Sequence, residues 1–169
     1  MAITILLVED DQKVRGLLRG RLEAAGYAVV ETSSAEEALT RYETAPPDLV
    51  ITDIVLPGRS GLDLIADLGQ EYPNARIVAM SGAFGSDVKA LLHQSVRAGA
   101  IHGLPKPFTT AQLLEVVQAA LNEPLGEGQA HFEMVEEAPP SSNAVRWVVA
   151  VVLVAAILGF MFRSSLFSK

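Results

Sequence analysis

The chain has 169 residues, with 13 Lys and Arg against 20 Asp and Glu, a formal net charge of −7, and half its residues hydrophobic. With no cysteine, a disulfide scaffold, a thiolate metal site and a cysteine nucleophile are excluded. Residues 1–122 hold 10 basic and 15 acidic groups, 123–143 none and 5, and 144–169 3 and none. A nucleic-acid-binding chain normally shows a basic patch on a folded module, and only the apolar segment 144–169 is net basic, which weighs against that class.

In chain order, residues 3–8 form a continuous apolar run, the pattern of a strand buried on both faces. Val14, Leu17, Leu18, Leu22 and Ala25 recur at helical spacing, and Gly26 is placed to stop that helix. Residues 27–30 read as a second strand. Ser33 with Glu36 and Ser34 with Glu37 both fit a capping box for a helix that buries Ala35, Ala38, Leu39 and Tyr42. Pro46 and Pro47 break it, and 48–53 is a third strand. The next helix, about 62–71, buries Leu62, Ile65 and Leu68, and 76–80 is a fourth strand. A helix with Val88, Leu91, Leu92, Ser95 and Val96 on one face ends at Gly99, and residues 84–85 read as the loop before it. Residues 100–104 form a fifth strand, and 109–121 a helix built on Leu113, Leu114, Val117 and Leu121. Five β-α units with short connections predict an α/β domain, a doubly wound parallel sheet covered on both faces, over residues 1–122.

Residues 123–143 have no period and are rich in Pro, Gly, Glu and Ser, which predicts a disordered acidic linker. Residues 147–162 contain no polar side chain and are bracketed by Arg146 and Arg163. As a helix, that run would be about 24 Å long, and the flanking arginines can snorkel. Its apolar side chains contribute about 3–6 kcal/mol of insertion free energy. Residues 144–167 are therefore predicted to be a C-terminal transmembrane anchor helix, with Trp147 at the interface and 168–169 as a short tail. Arg163 and Lys169 outweigh Arg146 in the positive-inside count. The absence of an N-terminal export signal points the other way and places the domain in the cytoplasm, as a single-pass membrane protein.

Glu9, Asp10 and Asp11 follow the first strand, Asp53 ends the third, Ser81 ends the fourth and Lys106 follows the fifth. Ligands of open doubly wound sheets bind at this edge. If strands one and three are neighbours, three carboxylates converge, and a hard cation such as Mg²⁺ relieves their repulsion. A carboxylate left free to attack phosphorus would form an acyl phosphate. Lys106 and the metal would neutralise the transferred oxygens, and the Ser81 hydroxyl would bond one of them. Taken singly, the acidic cluster also reads as the decoration of a helix start, Lys106-Pro107 as a loop and Ser81 as a cap. His93, His102 and His131 show no metal spacing and read as surface histidines.

The motifs Leu6-Leu7-Val8-Glu9-Asp10-Asp11, Asp53-Ile54-Val55-Leu56-Pro57 with Gly61 beyond it, Met80-Ser81-Gly82 and Lys106-Pro107-Phe108 are together specific. By them, residues 1–122 resemble a response-regulator receiver domain of two-component signalling. The resemblance implies a flavodoxin-like sheet of order 2-1-3-4-5. It implies that Asp53 is the phosphoacceptor, fed by a histidine kinase or a histidine phosphotransfer protein. It also implies Mg²⁺ held by Asp10, Asp53 and the Val55 backbone carbonyl, with Glu9 acting through water, Ser81 as switch hydroxyl and Lys106 as phosphate-binding ammonium. Asp11 falls one place past the acidic pair and reads as the cap of the first helix.

Two positions depart from the family. The residue three before the lysine is usually Tyr or Phe and here is Gly103, which implies weak coupling from phosphorylation to the helix four–strand five–helix five face, or coupling by another route. Val55 and Ala83 stand where the family tunes hydrolytic water, and neither can orient one, which implies a long-lived phosphoform. The expected function is a membrane-tethered, single-domain response regulator that signals by protein contacts and turns over no substrate. The rival is a phosphorylation-independent scaffold, and a phosphorelay intermediate would use the same site.

Overall fold

The computed structural model describes residues 2–82 and 86–124. Five strands, β1 (Thr4–Val8), β2 (Ala28–Thr32), β3 (Leu49–Asp53), β4 (Ile77–Ser81) and β5 (His102–Pro105), form one sheet of order β2-β1-β3-β4-β5. Every neighbouring pair is parallel. Among the described residues, five helices alternate with them: α1 (Gln12–Ala24), α2 (Ala35–Thr44), α3 (Gly61–Glu71), α4 (Ser86–Ala98) and α5 (Thr110–Asn122). The flavodoxin-like order and the element sequence agree with the expectation.

Strand alternation divides the core in two. Leu6, Val8, Val50, Ile77 and Ala79 point to one face and pack on α2, α3 and Leu92 of α4. Ile5, Leu7, Ile51, Val78 and Met80 point to the other and pack on α1 and α5. Because both faces are covered, the central strands are apolar at nearly every position rather than at alternate ones. Their polar residues are thereby confined to the strand ends, where the candidate site lies.

Local chemistry sets the helix starts. Asp11 is the N-cap of α1 and accepts from the N–H groups of Lys13 and Val14, as expected. Of the two candidates for α2, Ser34 is the cap, accepting from Glu37 N–H. Helix α3 starts at a capping box of Ser60 and Asp63, just ahead of the expected boundary. Strand β2 runs two residues past the expected end, to Thr32, because its pairing with β1 continues to Val8.

Two expectations are corrected. Leu17 shares the helical spacing of the apolar residues in the first helix but is 55% exposed. Leu18 and Leu22, four apart, take the core position, and Leu17 lies about 100° around the helix from Leu18. His102, expected at the surface, is buried in β5. Its Nε2 lies 3.5 Å from the carboxylate of Glu123, the residue that caps α5 and that was assigned to the linker. Residues 125–143, the expected anchor at 144–167 with Trp147, His131 and the loop position Ala83 lie outside the described residues. Among the described residues, no helix is long and apolar enough to cross a membrane.

Candidate functional site

Parallel strands deliver their carboxyl ends to one edge. Strand β1 runs into Glu9, β3 ends at Asp53, β4 ends at Ser81 and β5 runs into Lys106. Because β1 and β3 are neighbours, the condition for carboxylates to converge is met. Glu9, Asp53 and Ser81 are all buried.

The Lys106 ammonium joins the elements. Its Nζ donates to Glu9 Oε2 at 2.6 Å and to Asp53 Oδ2 at 2.5 Å. Lys106 N–H also donates to the Ser81 carbonyl at 2.7 Å, which holds the lysine beside the end of β4. The second Asp53 oxygen, Oδ1, accepts from Val55 N–H at 2.9 Å. Asp53 is thus aimed by one backbone donor and one cation. The loop beyond it is fastened by Ile54 N–H to the Met80 carbonyl and by Gly61 N–H to the Ile54 carbonyl.

Burial raises the Glu9 pKa; the hydrogen bond and charge of Lys106 pull it back, and the charges of Asp53 and Asp10 add to the rise. For Lys106, burial works downward, but hydrogen bonds to Asp53 and Glu9 outweigh it and the pKa is raised. The ionised ammonium is therefore favoured over the neutral amine.

Ser81 sits one position past Met80, the register partner of Asp53. Its Oγ is buried with no hydrogen-bond partner. A buried hydroxyl in that state costs about 1–3 kcal/mol, which an incoming acceptor would recover. Asp10 is exposed, and Asp11 is occupied in capping α1.

With Lys106 between Glu9 and Asp53, no group of three or more His, Asp or Glu side chains stands ready to hold a metal among the described residues. The donor chemistry still suits Mg²⁺, which takes oxygen ligands, commonly one or two carboxylates with retained waters. Glu9 and Asp53 supply two buried carboxylates of that kind, and Asp10 follows Glu9 in the chain.

One participant escaped the sequence reading. Arg15, on the first turn of α1, donates from Nη1 to the carbonyls of Glu9 at 2.6 Å and Asp10 at 3.2 Å. An arginine early in a helix reads as solvated surface, and nothing local signals that it turns back.

Residues 5–118 match the family described as response regulator receiver domain. The transcriptional regulator NtrC of Azospirillum brasilense is 37% identical over 72% of this chain and 24% of its own length. The chemotaxis protein CheY of Thermotoga maritima is 32% identical over 69% of this chain and 96% of its own. A solved receiver domain protein from Clostridium thermocellum superimposes with a TM-score of 0.65 at 26% identity, covering 71% of this chain and 94% of that one. The chain spans only about a quarter to a third of the length of the NtrC relatives.

Proposed function

The chain belongs to the response regulator receiver family, and from that premise we propose that it accepts a phosphoryl group on Asp53 from a histidine kinase or a histidine phosphotransfer protein. The observation that carries this reading is the Asp53 carboxylate, held between Val55 N–H and the Lys106 ammonium. An Asp53 oxygen forms the new bond to phosphorus as the bond from phosphorus to the donor nitrogen breaks. Lys106 is charged and within reach of the transferred oxygens, and the unpartnered Ser81 hydroxyl is free to donate to one of them. Asp10, Asp53 and the Val55 carbonyl would hold Mg²⁺ directly and Glu9 through water, supplying positive charge against the phosphoryl oxygens. The protein acts as a phosphoacceptor rather than an enzyme of many turnovers.

The purified chain, exposed to a small phosphodonor with and without Mg²⁺, is expected to gain one phosphoryl group by intact mass, only with Mg²⁺ and not in Asp53→Asn. The Val55 side chain offers no polar atom to position hydrolytic water, so the label is expected to persist for minutes or longer. A lifetime of seconds would refute that part, and no labelling would refute the phosphoacceptor reading.

Residues 147–162, apolar throughout and bracketed by Arg146 and Arg163, support a single-pass anchor over 144–167 with the receiver in the cytoplasm. The tether would raise its effective concentration near membrane partners. After cell fractionation, the chain is expected in the carbonate-resistant membrane pellet and a truncation at residue 143 in the supernatant. Recovery of both in the supernatant would count against the anchor.

Gly103 lends weight to a second reading, a phosphorylation-independent scaffold with no nucleic acid among its partners. In β5, Gly103 lies directly against Leu92 of α4, where a Cβ would stand 3.0 Å from Leu92 Cδ2, so a ring there would crowd the leucine. Partner capture undiminished in Asp53→Asn would favour it.

A further inference from the structure

The Glu9 and Asp10 carbonyls lie between the end of β1 and the start of α1, so neither takes part in the first helical hydrogen bond, which runs from Arg15 N–H to the Asp11 carbonyl. Both are taken instead by the Arg15 guanidinium. That guanidinium is itself tethered: its Nε lies 3.7 Å from Glu31 Oε1 on β2, and Glu31 Oε2 accepts from Arg19 at 2.7 Å. Only 18% of the Arg15 side chain is exposed. A planar fork anchored on a neighbouring strand, with a second donor-bearing arm on two successive carbonyls, fixes the turn that carries both acidic side chains.

We infer that Arg15 is a positioning residue for the acidic pocket, holding the Glu9–Asp10 turn in the conformation that receives a divalent cation. This rests on the phosphoacceptor reading. Two effects of the side chain oppose each other. Its positive charge disfavours a nearby cation, whereas its clamp on the carbonyls spares the cation the ordering of the turn. Glu31 already faces the charge at 3.7 Å, and both hydrogen bonds are charge-assisted, the one to Glu9 short at 2.6 Å, so the clamp dominates.

The test is calorimetric titration of the full chain with MgCl₂, alongside amide exchange across residues 9–14 without metal. Arg15→Ala is expected to weaken Mg²⁺ binding about 10-fold and to speed exchange in the turn, with about 1.4 kcal/mol as the equivalent of that factor. Phosphorylation at saturating Mg²⁺ should still reach the level of the unaltered chain. Arg15→Lys keeps the charge and one donor and should recover part of the affinity; it also carries the test if the alanine variant fails to fold. A merely structural role would lower the melting temperature without separating Mg²⁺ affinity from maximal phosphorylation. Unchanged affinity in Arg15→Ala overturns the inference, and tighter binding does so as well, since the charge would then outweigh the clamp. Absence of Mg²⁺ binding by the unaltered chain sinks the phosphoacceptor reading itself, and this role of Arg15 with it.

Discussion

Gly61→Ala is expected to destabilise the domain by about 3–5 kcal/mol, at the severe end for a single methyl group. A Cβ at position 61 would stand 1.9 Å from the Asp53 carbonyl oxygen and 2.9 Å from the Asp53 carbonyl carbon and Ile54 Cα. These are backbone atoms of the central strand β3 and its exit, so no side chain can rotate away to make room. Gly61 N–H also donates to the Ile54 carbonyl, so moving the start of α3 outward breaks that bond as well. The displaced atoms belong to Asp53, the proposed phosphoacceptor, and its neighbour. Urea unfolding should show the loss of stability, and whatever protein remains folded should accept phosphate more slowly. A change below about 1 kcal/mol would mean that the α3 start yields more readily than its packing implies.

Gly103→Tyr is expected to cost about 1–3 kcal/mol through overpacking. A Cβ there would meet Leu92 Cδ2 at 3.0 Å and Leu92 Cβ at 3.1 Å, and Leu92 is fully buried in the core between α4 and the sheet. Leu92→Ala alone should cost about 2–5 kcal/mol by leaving a cavity. Combined, the ring enters the space that leucine vacates, so the double variant should be more stable than the sum of the single losses by about 1 kcal/mol or more. Additive losses would show that the ring does not enter that space. The test bears on signalling as well as stability, because α4 follows the strand that ends at Ser81. In place of the ring that the family usually carries, Leu92 of α4 lies against Gly103.

Much of the fold and of the site was legible in the sequence, for a reason particular to doubly wound sheets. Strands buried on both faces are nearly uniform in apolar residues, so the first polar group after each run marks its carboxyl end. Glu9 and Ser81 announce themselves that way, and Asp53 and Lys106 follow within a residue or two of the last apolar position. Asp11 as a helix cap and the breaks at Pro46 and Gly26 depend on backbone chemistry within a few residues, and the structure agrees with each. Leu17 failed because its spacing satisfied a helical period without identifying which flank of the stripe faces the sheet.

The sequence by itself determined the order of elements, the apolar strands and the residue types at the strand ends, because these follow from hydrophobic periodicity and capping within a turn or two of chain. Only the tertiary structure decided which groups meet. Lys106 reaches carboxylates 97 and 53 positions away, and Ser81 Oγ is left without a partner. Arg15 turns back onto the turn ahead of its own helix, His102 is buried beside the end of α5, and Leu92 claims the space over Gly103. These arrangements depend on distances between elements, set by how two helical layers close on a twisted sheet, and local pattern along the chain does not encode them.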